Sequence, residues 1–335
     1  MTLNDMRSLL ESRGIQLTKS LGQNFLHDGN QLRRIVTAAD VQPTDRVLEV
    51  GPGLGPLTEL LLARAASVLA IEKDARLVAV LRERFAGALS GAGPGSLELL
   101  EADALRWVEE NRRDWSGWKL VANLPYSVAS PLMVELAEAP IPPERMVVTL
   151  QAEVVHRIAA PTDGDDYGIL TLLLGLRYQV REWFNIRRGC FHPIPDVDSA
   201  CISLVRRPSP LLDAAGSDVF TRLVKRAFSE RRKMMLKLLK TLWPLDALQS
   251  AFQQVGVSPT ERAEKVPLEG FVALARILGP AGLQAGLHGK PGKGVGMSDE
   301  AVATGVGFRD ESGAKVSPGG DDTCQLKGSG SPCQR

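Results

Sequence analysis

The segment Asn123-Leu124-Pro125-Tyr126 combines residue types that could activate a poor nucleophile. The amine of an adenine ring is unreactive because its lone pair is delocalised, and two acceptors that hold both N–H bonds can shift the nitrogen toward tetrahedral geometry. The side-chain carbonyl of Asn123 and the backbone carbonyl of Leu124 are suited to this task. Pro125 fixes the turn and biases Leu124 toward extended geometry, and Tyr126 offers a ring on which a base can stack. The segment predicts alkylation of a nucleobase amine without a strong general base, since the amine becomes acidic only after alkylation.

A glycine turn precedes this segment in the chain and could hold a nucleoside. It reads EVGPGLG from Glu49 to Gly55 and leads into a helix predicted to begin near Leu57. Glycines let a ligand approach the backbone closely, and a helix N-terminus offers unpaired N–H groups. A dinucleotide fingerprint needs glycine at its first, third and sixth places, whereas Pro56 stands at the sixth place here. The spacing favours the nucleoside loop of a methyltransferase over a pyrophosphate cradle.

Two carboxylates follow predicted strands, at the end of a parallel sheet where ligands bind. Glu72 comes about twenty residues after the glycine turn, where an acid can accept hydrogen bonds from both hydroxyls of a ribose. Asp103 could accept from the amine of the adenine in the same ligand. A solvated carboxylate is the alternative for Glu72, and a helix N-cap before Ala104 is the alternative for Asp103. For Asp103 the two roles are compatible.

These residues need a sheet to bring them together, and the chain has the pattern of one. Short β-branched or leucine-rich runs alternate with helical patterns between residues 46 and 150, which predicts βαβ units and a parallel sheet. Two further strands are predicted after this part. The seven predicted strands are Arg46–Val50, Val68–Glu72, Leu97–Ala102, Lys119–Asn123, Met146–Gln151, Gln179–Phe184 and Ala200–Arg206. The sequence therefore predicts an α/β fold.

The pattern becomes helical after residue 210. The predicted helices are Asp218–Leu242, Leu245–Val255 and Leu268–Leu278. We therefore expect a first domain over residues 1–210 and a small helical domain over 211–280. Residues 281–335 are rich in glycine, contain a single aromatic residue and show no sustained periodicity, so they cannot bury enough apolar surface to offset their ordering entropy. We expect this tail to be disordered.

Composition excludes several classes of protein. The chain has 335 residues, of which 44% are hydrophobic, and this suffices for a large α/β domain and a smaller one. No apolar stretch approaches the roughly 20 residues that cross a bilayer, and charged residues interrupt the first 14 residues, so we expect a cytoplasmic protein with no membrane partner. The four cysteines share no CxxC spacing and have no surrounding His set, so we expect no metal site.

Six stretches between residues 15 and 280 carry a wider pattern. They are LGQNFL (21–26), EVGPGLGPLT (49–58), IEKD (71–74), NLPYSVASPL (123–132), FHPIPDVDSACISL (191–204) and AFSERRKMMLKLL (227–239). In these stretches the chain resembles the small-subunit ribosomal RNA adenine-N6 dimethyltransferases. The resemblance implies a Rossmann-like class I methyltransferase fold, with a parallel-type sheet, helices on both faces and a small C-terminal helical domain.

The resemblance also implies a cofactor, a substrate and residue roles. The methyl donor would be S-adenosyl-L-methionine, and the residues around it would be Asn24, Leu26, Gly51, Gly53, Glu72, Asp103 and Asn123. The residues that handle the target amine would be Asn123, Leu124, Pro125 and Tyr126, with Phe191 stacked on the opposite face of a flipped adenine. The substrate would be 16S rRNA in the small ribosomal subunit, where two adjacent adenosines near the 3′ end each receive two methyl groups. We expect the protein to act as a monomer.

Positive charge is concentrated in the helix predicted over Asp218–Leu242. Its cations include Arg222, Arg226, Arg231, Arg232 and Lys233. A solvated helix face is the commoner meaning of such a run. In this context we favour contact with RNA phosphates, because the run holds more cations than helix solubility requires. Arg187 and Arg188 could extend this surface toward Phe191.

Two other functions remain open at this point. A 23S rRNA adenine-N6 methyltransferase of the antibiotic-resistance type would share the fold and the cofactor, although Leu124 in place of Ile and the FHPIPDVDS stretch argue against it. A ribosome-assembly or transcription factor could keep the fold without catalysis. The intact Gly51, Glu72, Asp103 and Asn123 favour retained chemistry.

Overall fold

A seven-stranded sheet forms the centre of the protein. The structure, a computed structural model, describes residues 1–17 and 22–280. Its strands are β1 (Phe25–Leu26), β2 (Arg46–Val50), β3 (Ser67–Glu72), β4 (Ser96–Glu101), β5 (Trp118–Asn123), β6 (Arg145–Gln151), β7 (Tyr178–Ile186), β8 (Phe191–His192) and β9 (Ser199–Arg206). The sheet has the order β4-β3-β2-β5-β6-β9-β7, and β1 pairs with β8 in a separate two-stranded ribbon.

The first five strands of this order are parallel, and β9 runs antiparallel between β6 and β7. All seven predicted strands are present, each within two residues of its predicted bounds, and the predicted α/β fold is confirmed. The inner strands are recognisable in sequence because they are buried on both faces and read as continuous apolar runs.

Helices cover both faces of the sheet and continue beyond it. They are α1 (Leu3–Ser12), α2 (Gly29–Ala39), α3 (Pro56–Leu62), α4 (Ala75–Arg84), α5 (Ala86–Leu89), α6 (Ala104–Glu110), α7 (Tyr126–Ala137), α8 (Ala152–Ala159), α9 (Ile169–Arg177), α10 (Ala214–Ala227), α11 (Met235–Leu239), α12 (Leu245–Val255) and α13 (Leu268–Leu278). Within the described ranges no helix is long and apolar enough to cross a membrane, the longest being α10 with 14 residues.

Two apolar clusters pack against opposite faces of the sheet. Successive residues of a strand point to opposite faces, so Val47 belongs to one cluster and its neighbour Leu48 to the other. A third cluster joins α9 to the helices α10 to α13 through Leu172, Phe220 and Phe271. Helix α9 lies before the boundary predicted at residue 210, and that boundary stays a prediction. The predicted disordered tail, 281–335, lies outside the described residues.

The prediction of one helix over Asp218–Leu242 is wrong. Helix α10 ends at Ala227, the chain turns through residues 228–234, and α11 begins at Met235. The Arg226 guanidinium donates to the Leu238 carbonyl oxygen over 2.9 Å, whereas twelve residues of straight helix would separate these two by about 18 Å. The break lets the apolar residues on both sides of the turn enter the same cluster. Helices α12 and α13 have the predicted bounds.

Three tryptophans pack together at the start of β5, the strand that ends in Asn123. The ring of Trp115 is fully buried and packs edge-to-face on Trp118, with centroids 5.4 Å apart, and on Trp107, with centroids 6.5 Å apart. The guanidinium of Arg113 lies 4.4 Å from the Trp115 centroid, and its Nε and Nη2 atoms have no hydrogen bond within residues 1–17 and 22–280. Cation–π attraction therefore replaces hydrogen bonding for these buried N–H groups.

We expect Trp115→Ala to lower the free energy of unfolding by about 3–5 kcal/mol, because it removes a fully buried ring and leaves a cavity. Urea unfolding measured by circular dichroism checks this. The control is Trp183→Ala, which removes a ring that is 43% exposed and should cost about 1 kcal/mol or less. Equal losses in the two variants would contradict the structural role of the cluster.

Candidate active site

A cavity lies at the carboxyl ends of the parallel strands and gathers most of the residues that the sequence indicates. Its lining includes Asn24, Gly51, Gly53, Glu72, Asp103, Asn123 and Pro125. Leu26 does not line the cavity, because its side chain is buried in an apolar cluster. The fold thus brings together residues that lie up to 99 positions apart in the chain, as for Asn24 and Asn123.

The glycine turn packs directly against the Asn-Leu-Pro-Tyr bend. Gly51 and Gly53 have φ values of +66° and +62°, a region that side chains with a Cβ rarely adopt. A Cβ on Gly51 would lie 3.2 Å from Cδ of Pro125, and a Cβ on Gly53 would lie 2.7 Å from the ring of Phe25. Glycine is therefore required here by contact with protein as well as by backbone conformation. The turn and the bend are held at van der Waals distance.

The Glu72 carboxylate organises the turn from the end of β3. Its Oε1 accepts hydrogen bonds from the backbone N–H groups of Lys73 and Asp74, both at 2.9 Å, and its Oε2 accepts from the N–H of Gly53 at 3.2 Å. Burial raises the pKa of this carboxyl, while the three backbone N–H groups act in the opposite direction. A carboxylate has about four lone-pair sites, so these bonds leave acceptor capacity for a ligand.

Asp103 caps a helix and forms an ion pair at the edge of the cavity. Its carboxylate accepts from the N–H of Arg106 at 3.2 Å, which confirms the N-cap interpretation for α6. The Lys73 ammonium lies 2.9 Å from Oδ2 and lowers the pKa of Asp103. Lys73 also lines the cavity. The contact of Asp103 with a cofactor adenine stays a prediction.

The side chain of Asn123 is oriented by a backbone carbonyl. Its Nδ2 donates to the carbonyl oxygen of Asn24 over 2.9 Å. Because that oxygen can only accept, the amide nitrogen must face it, and Oδ1 is left on the other side of the amide. Asn123 therefore presents an acceptor in a fixed orientation beside the glycine turn.

Leu124 supplies a second acceptor through its backbone. Its N–H donates to the carbonyl oxygen of Thr149 over 3.2 Å, which holds the bend to β6, and its side chain is buried. No hydrogen bond to the Leu124 carbonyl oxygen is found in the described part of the chain. Pro125 follows with φ −57° and ψ 128° and precedes the first turn of α7.

The two aromatic residues predicted to stack on a base lie outside the cavity lining. The Tyr126 hydroxyl forms a 2.8 Å hydrogen bond with the Ser199 hydroxyl, and partial burial raises its pKa. Phe191 is 1% exposed, pairs with Leu26 across the β1–β8 ribbon and belongs to the same apolar cluster as Leu26. Neither residue lines the cavity, so stacking on a base stays a prediction and would require these side chains to move.

Some residues of the cavity lining were not singled out in the sequence as site residues. Phe25, Lys73 and Ser127 all line the cavity. They lie within the LGQNFL, IEKD and NLPYSVASPL stretches, and membership of these stretches is the sequence feature that could have identified them as cavity residues.

Most of the cations predicted to contact RNA already have partners within the protein. Arg222 pairs with Asp218 at 3.1 Å and Lys233 with Glu230 at 2.5 Å, while Arg231 donates to the carbonyl oxygen of Asp165 at 2.6 Å. Arg226 holds α11 against α10 as described above. In residues 1–17 and 22–280 no partner is found for Arg232. The break between α10 and α11 thus places Arg231, Arg232 and Lys233 on a turn rather than along a helix face.

Glu49 is a buried acid beneath the glycine turn. It lies on β2 beside Thr58, and its Oε2 atom makes no hydrogen bond within the described ranges. Burial raises the pKa of Glu49 to about 8, the neighbouring Glu72 carboxyl adds to this, and Thr58 and Arg84 oppose it. The neutral acid is therefore the stable form of Glu49 below that pH.

Comparison with known proteins identifies related chains over nearly all of the described region. The family model described as ribosomal RNA adenine dimethylase matches residues 14–279. A ribosomal RNA small subunit methyltransferase A from Geobacter metallireducens is 38% identical over 275 residues, which cover 80% of this chain and 98% of that protein.

Two solved structures are similar in fold as well as in sequence. A dimethyladenosine transferase from Plasmodium falciparum superimposes with a TM-score of 0.65 and 26% identity, over 75% of this chain and 95% of that one. The 23S rRNA methyltransferase ErmE superimposes with a TM-score of 0.57 and 30% identity, over 76% of this chain and 99% of that one.

The pH dependence of stability provides a test of the buried acid. A carboxyl whose pKa rises on folding stabilises the protein fully below its ordinary value near 4.5, and this contribution is lost as pH rises through the folded value near 8. The free energy of unfolding of the wild type, relative to Glu49→Gln, should therefore fall by roughly 3–5 kcal/mol between pH 5 and pH 8. Urea unfolding of both proteins across this range measures it. A difference that does not change with pH would show that Glu49 is not perturbed.

Proposed function

This chain belongs to the ribosomal RNA adenine dimethylase family, and from that premise we propose that it uses S-adenosyl-L-methionine to dimethylate N6 of adenosines in 16S rRNA. The proposed targets are two adjacent adenosines in the 3′-terminal hairpin, each of which receives two methyl groups during small-subunit biogenesis. Relatives named as small subunit methyltransferases support this substrate over 23S rRNA. In this proposal the enzyme acts as a monomer in the cytoplasm.

The observation that carries the proposal is the fixed Asn123 amide at the glycine turn. Asn24 holds its nitrogen, so its oxygen and the Leu124 carbonyl oxygen remain as acceptors. An adenine amine that donates one N–H to each oxygen would have its lone pair turned away from the ring and toward a methyl group beside Gly51. After transfer the alkylated amine releases a proton to water, and a second cycle uses its remaining N–H.

The residues of the cavity fit S-adenosyl-L-methionine, which supplies an electrophilic methyl group on a sulfonium when bound. The buried carboxylate of Glu72 keeps free acceptor capacity for the two ribose hydroxyls. Asp103 would accept from the amine of the cofactor adenine, with its carboxylate held by Lys73. Gly51 and Gly53 would allow the methionine part to approach the backbone, next to Asn24 and Asn123.

RNA must be held while the target base leaves its stack. Bases in folded RNA are reached by extrusion, which requires both phosphate contacts and surfaces for the extruded base. We assign phosphate contacts to the turn with Arg231, Arg232 and Lys233 and to the flanking Arg222 and Arg226. Tyr126 and Phe191 would stack on the adenine once it has entered.

Methyl transfer to isolated subunits tests the function. The wild type, incubated with labelled cofactor, should modify small subunits that lack the modification and leave large subunits unlabelled, with the label mapped to adjacent adenosines by mass spectrometry.

Asn123→Ala should abolish transfer and keep RNA binding, because it removes only one acceptor for the amine. The control is Asn111→Ala. The Asn111 side-chain nitrogen also donates to a backbone carbonyl, that of Trp107 at 2.8 Å, but Asn111 comes before β5 and not at the end of the strand where the cavity lies. Label on the large subunit would favour a 23S rRNA methyltransferase. No label on either subunit would favour a non-catalytic assembly or transcription factor. Normal turnover of Asn123→Ala would refute the role of the Asn123 amide.

Cofactor affinity tests Glu72 separately. We expect Glu72→Ala to weaken binding of S-adenosyl-L-methionine by about 1.5–3 kcal/mol, the scale of hydrogen bonds to a charged group. Isothermal calorimetry measures the change. Glu98→Ala removes an exposed carboxylate from the adjacent strand β4 and should leave the affinity unaltered. Equal affinity of Glu72→Ala and the wild type would remove Glu72 from the cofactor site.

A further inference from the structure

The loop between β8 and β9 exposes apolar side chains. Ile194 is 66% exposed, more than any other large apolar residue in the described ranges, and Val197 is 45% exposed. Pro193 beside them is also exposed. A single exposed apolar residue needs no explanation, but three within five residues form a small apolar tip.

Both ends of this loop are attached to the catalytic corner. On one side, His192 pairs with Phe25, whose ring packs on Gly53 at the wall of the cavity. On the other side, the Ser199 hydroxyl bonds to the hydroxyl of Tyr126. The loop that carries the apolar tip is therefore anchored at both ends to residues of the catalytic corner.

The shape of the loop is held by the protein itself. Arg188 donates to the carbonyl oxygen of Asp196 at 3.1 Å and pairs with the carboxylate of Asp198 at 3.4 Å. The N–H of Ala152 donates to the carbonyl oxygen of Asp198 at 2.9 Å. These bonds fix the backbone on the far side of the tip, so that Ile194 projects from an ordered loop.

The charges of the loop argue against a contact with phosphates. Asp196 and Asp198 are acidic, and the nearby cation Arg188 pairs with the Asp198 carboxylate and donates to the backbone carbonyl of Asp196. An apolar side chain gains most where water is excluded, and the faces of RNA bases are the apolar surfaces of the substrate. The loop is thus suited to contact bases, while phosphates are left to other parts of the protein.

We propose that Ile194, supported by Val197, is a wedge that fills the space left in the RNA stack when the target adenine enters the cavity. This inference rests on the proposed function, because only an enzyme that extrudes a base leaves such a space. Aliphatic side chains are inserted between bases in this way by proteins that unstack nucleic acids. The wedge stabilises the extruded state, so its loss lowers the rate of transfer without changing how the cofactor binds.

The test compares Ile194→Ser with Ile194→Leu on unmodified small subunits. We expect Ile194→Ser to lower kcat for methyl transfer by roughly tenfold and Ile194→Leu by less than about twofold, since leucine keeps the apolar volume. Cofactor affinity by calorimetry and subunit affinity by filter binding should stay within about twofold of the wild type in both variants. Ile141→Ser is the control, because Ile141 is 41% exposed and precedes β6 at the opposite end of the sheet.

An unchanged kcat in Ile194→Ser would overturn the wedge, and so would an equal loss in the serine and leucine variants. A loss of subunit affinity at constant kcat would also overturn it, because it would make the tip a docking contact. Active wild-type enzyme with a fully active Ile194→Ser refutes the wedge alone, whereas wild-type protein that labels no subunit refutes the proposed function and the wedge with it.

Discussion

The close contact between the glycine turn and the Asn-Leu-Pro-Tyr bend is the constraint on which the site depends. Methyl transfer requires the reacting atoms to meet at about 3–3.5 Å, and a displacement of 1 Å is costly. In this structure Pro125 lies against Gly51 so closely that a Cβ would already press on its ring, and the Asn24 carbonyl ties the Asn123 amide to the same place. The donor and acceptor halves of the site are thus positioned by protein contacts before any ligand binds.

The carboxylates around this contact also have structural duties within the protein. Glu72 accepts three backbone N–H groups and so shapes the turn that it also borders, while Asp103 begins α6 and is held by Lys73. A carboxylate that is already hydrogen-bonded does not need to reorganise when a ligand arrives, which reduces the cost of binding. Removing such a group alters the shape of the turn as well as the contact with the ligand.

The sequence predicted the fold and the cavity residues at the ends of the parallel strands because these depend on local pattern. Parallel strands buried on both faces read as apolar runs, and their carboxyl ends coincide with Gly51, Glu72, Asp103 and Asn123. The break after Ala227 was missed because helix propensity continues through it, and only the tertiary bond from Arg226 to Leu238 reveals the turn. The position of Phe191 was equally hidden, since its burial follows from the pairing of β1 with β8, two strands of two residues each.

The β1–β8 ribbon and the loop that follows it connect Ile194 to the two residues proposed to stack on the adenine. Phe191 and Tyr126 would have to turn toward the cavity to stack on an adenine, and each is attached to an end of the loop that carries Ile194: Phe191 through β8, and Tyr126 through the hydroxyl of Ser199. Insertion of Ile194 into the RNA stack would therefore displace the two segments that hold the stacking residues. Arg188 and Ala152 hold the backbone of this loop by hydrogen bonds, so a displacement of Ile194 would be passed on to both attached segments. With such coupling, Tyr126 and Phe191 would turn toward the cavity only after the adenine has left its stack and Ile194 has taken its place.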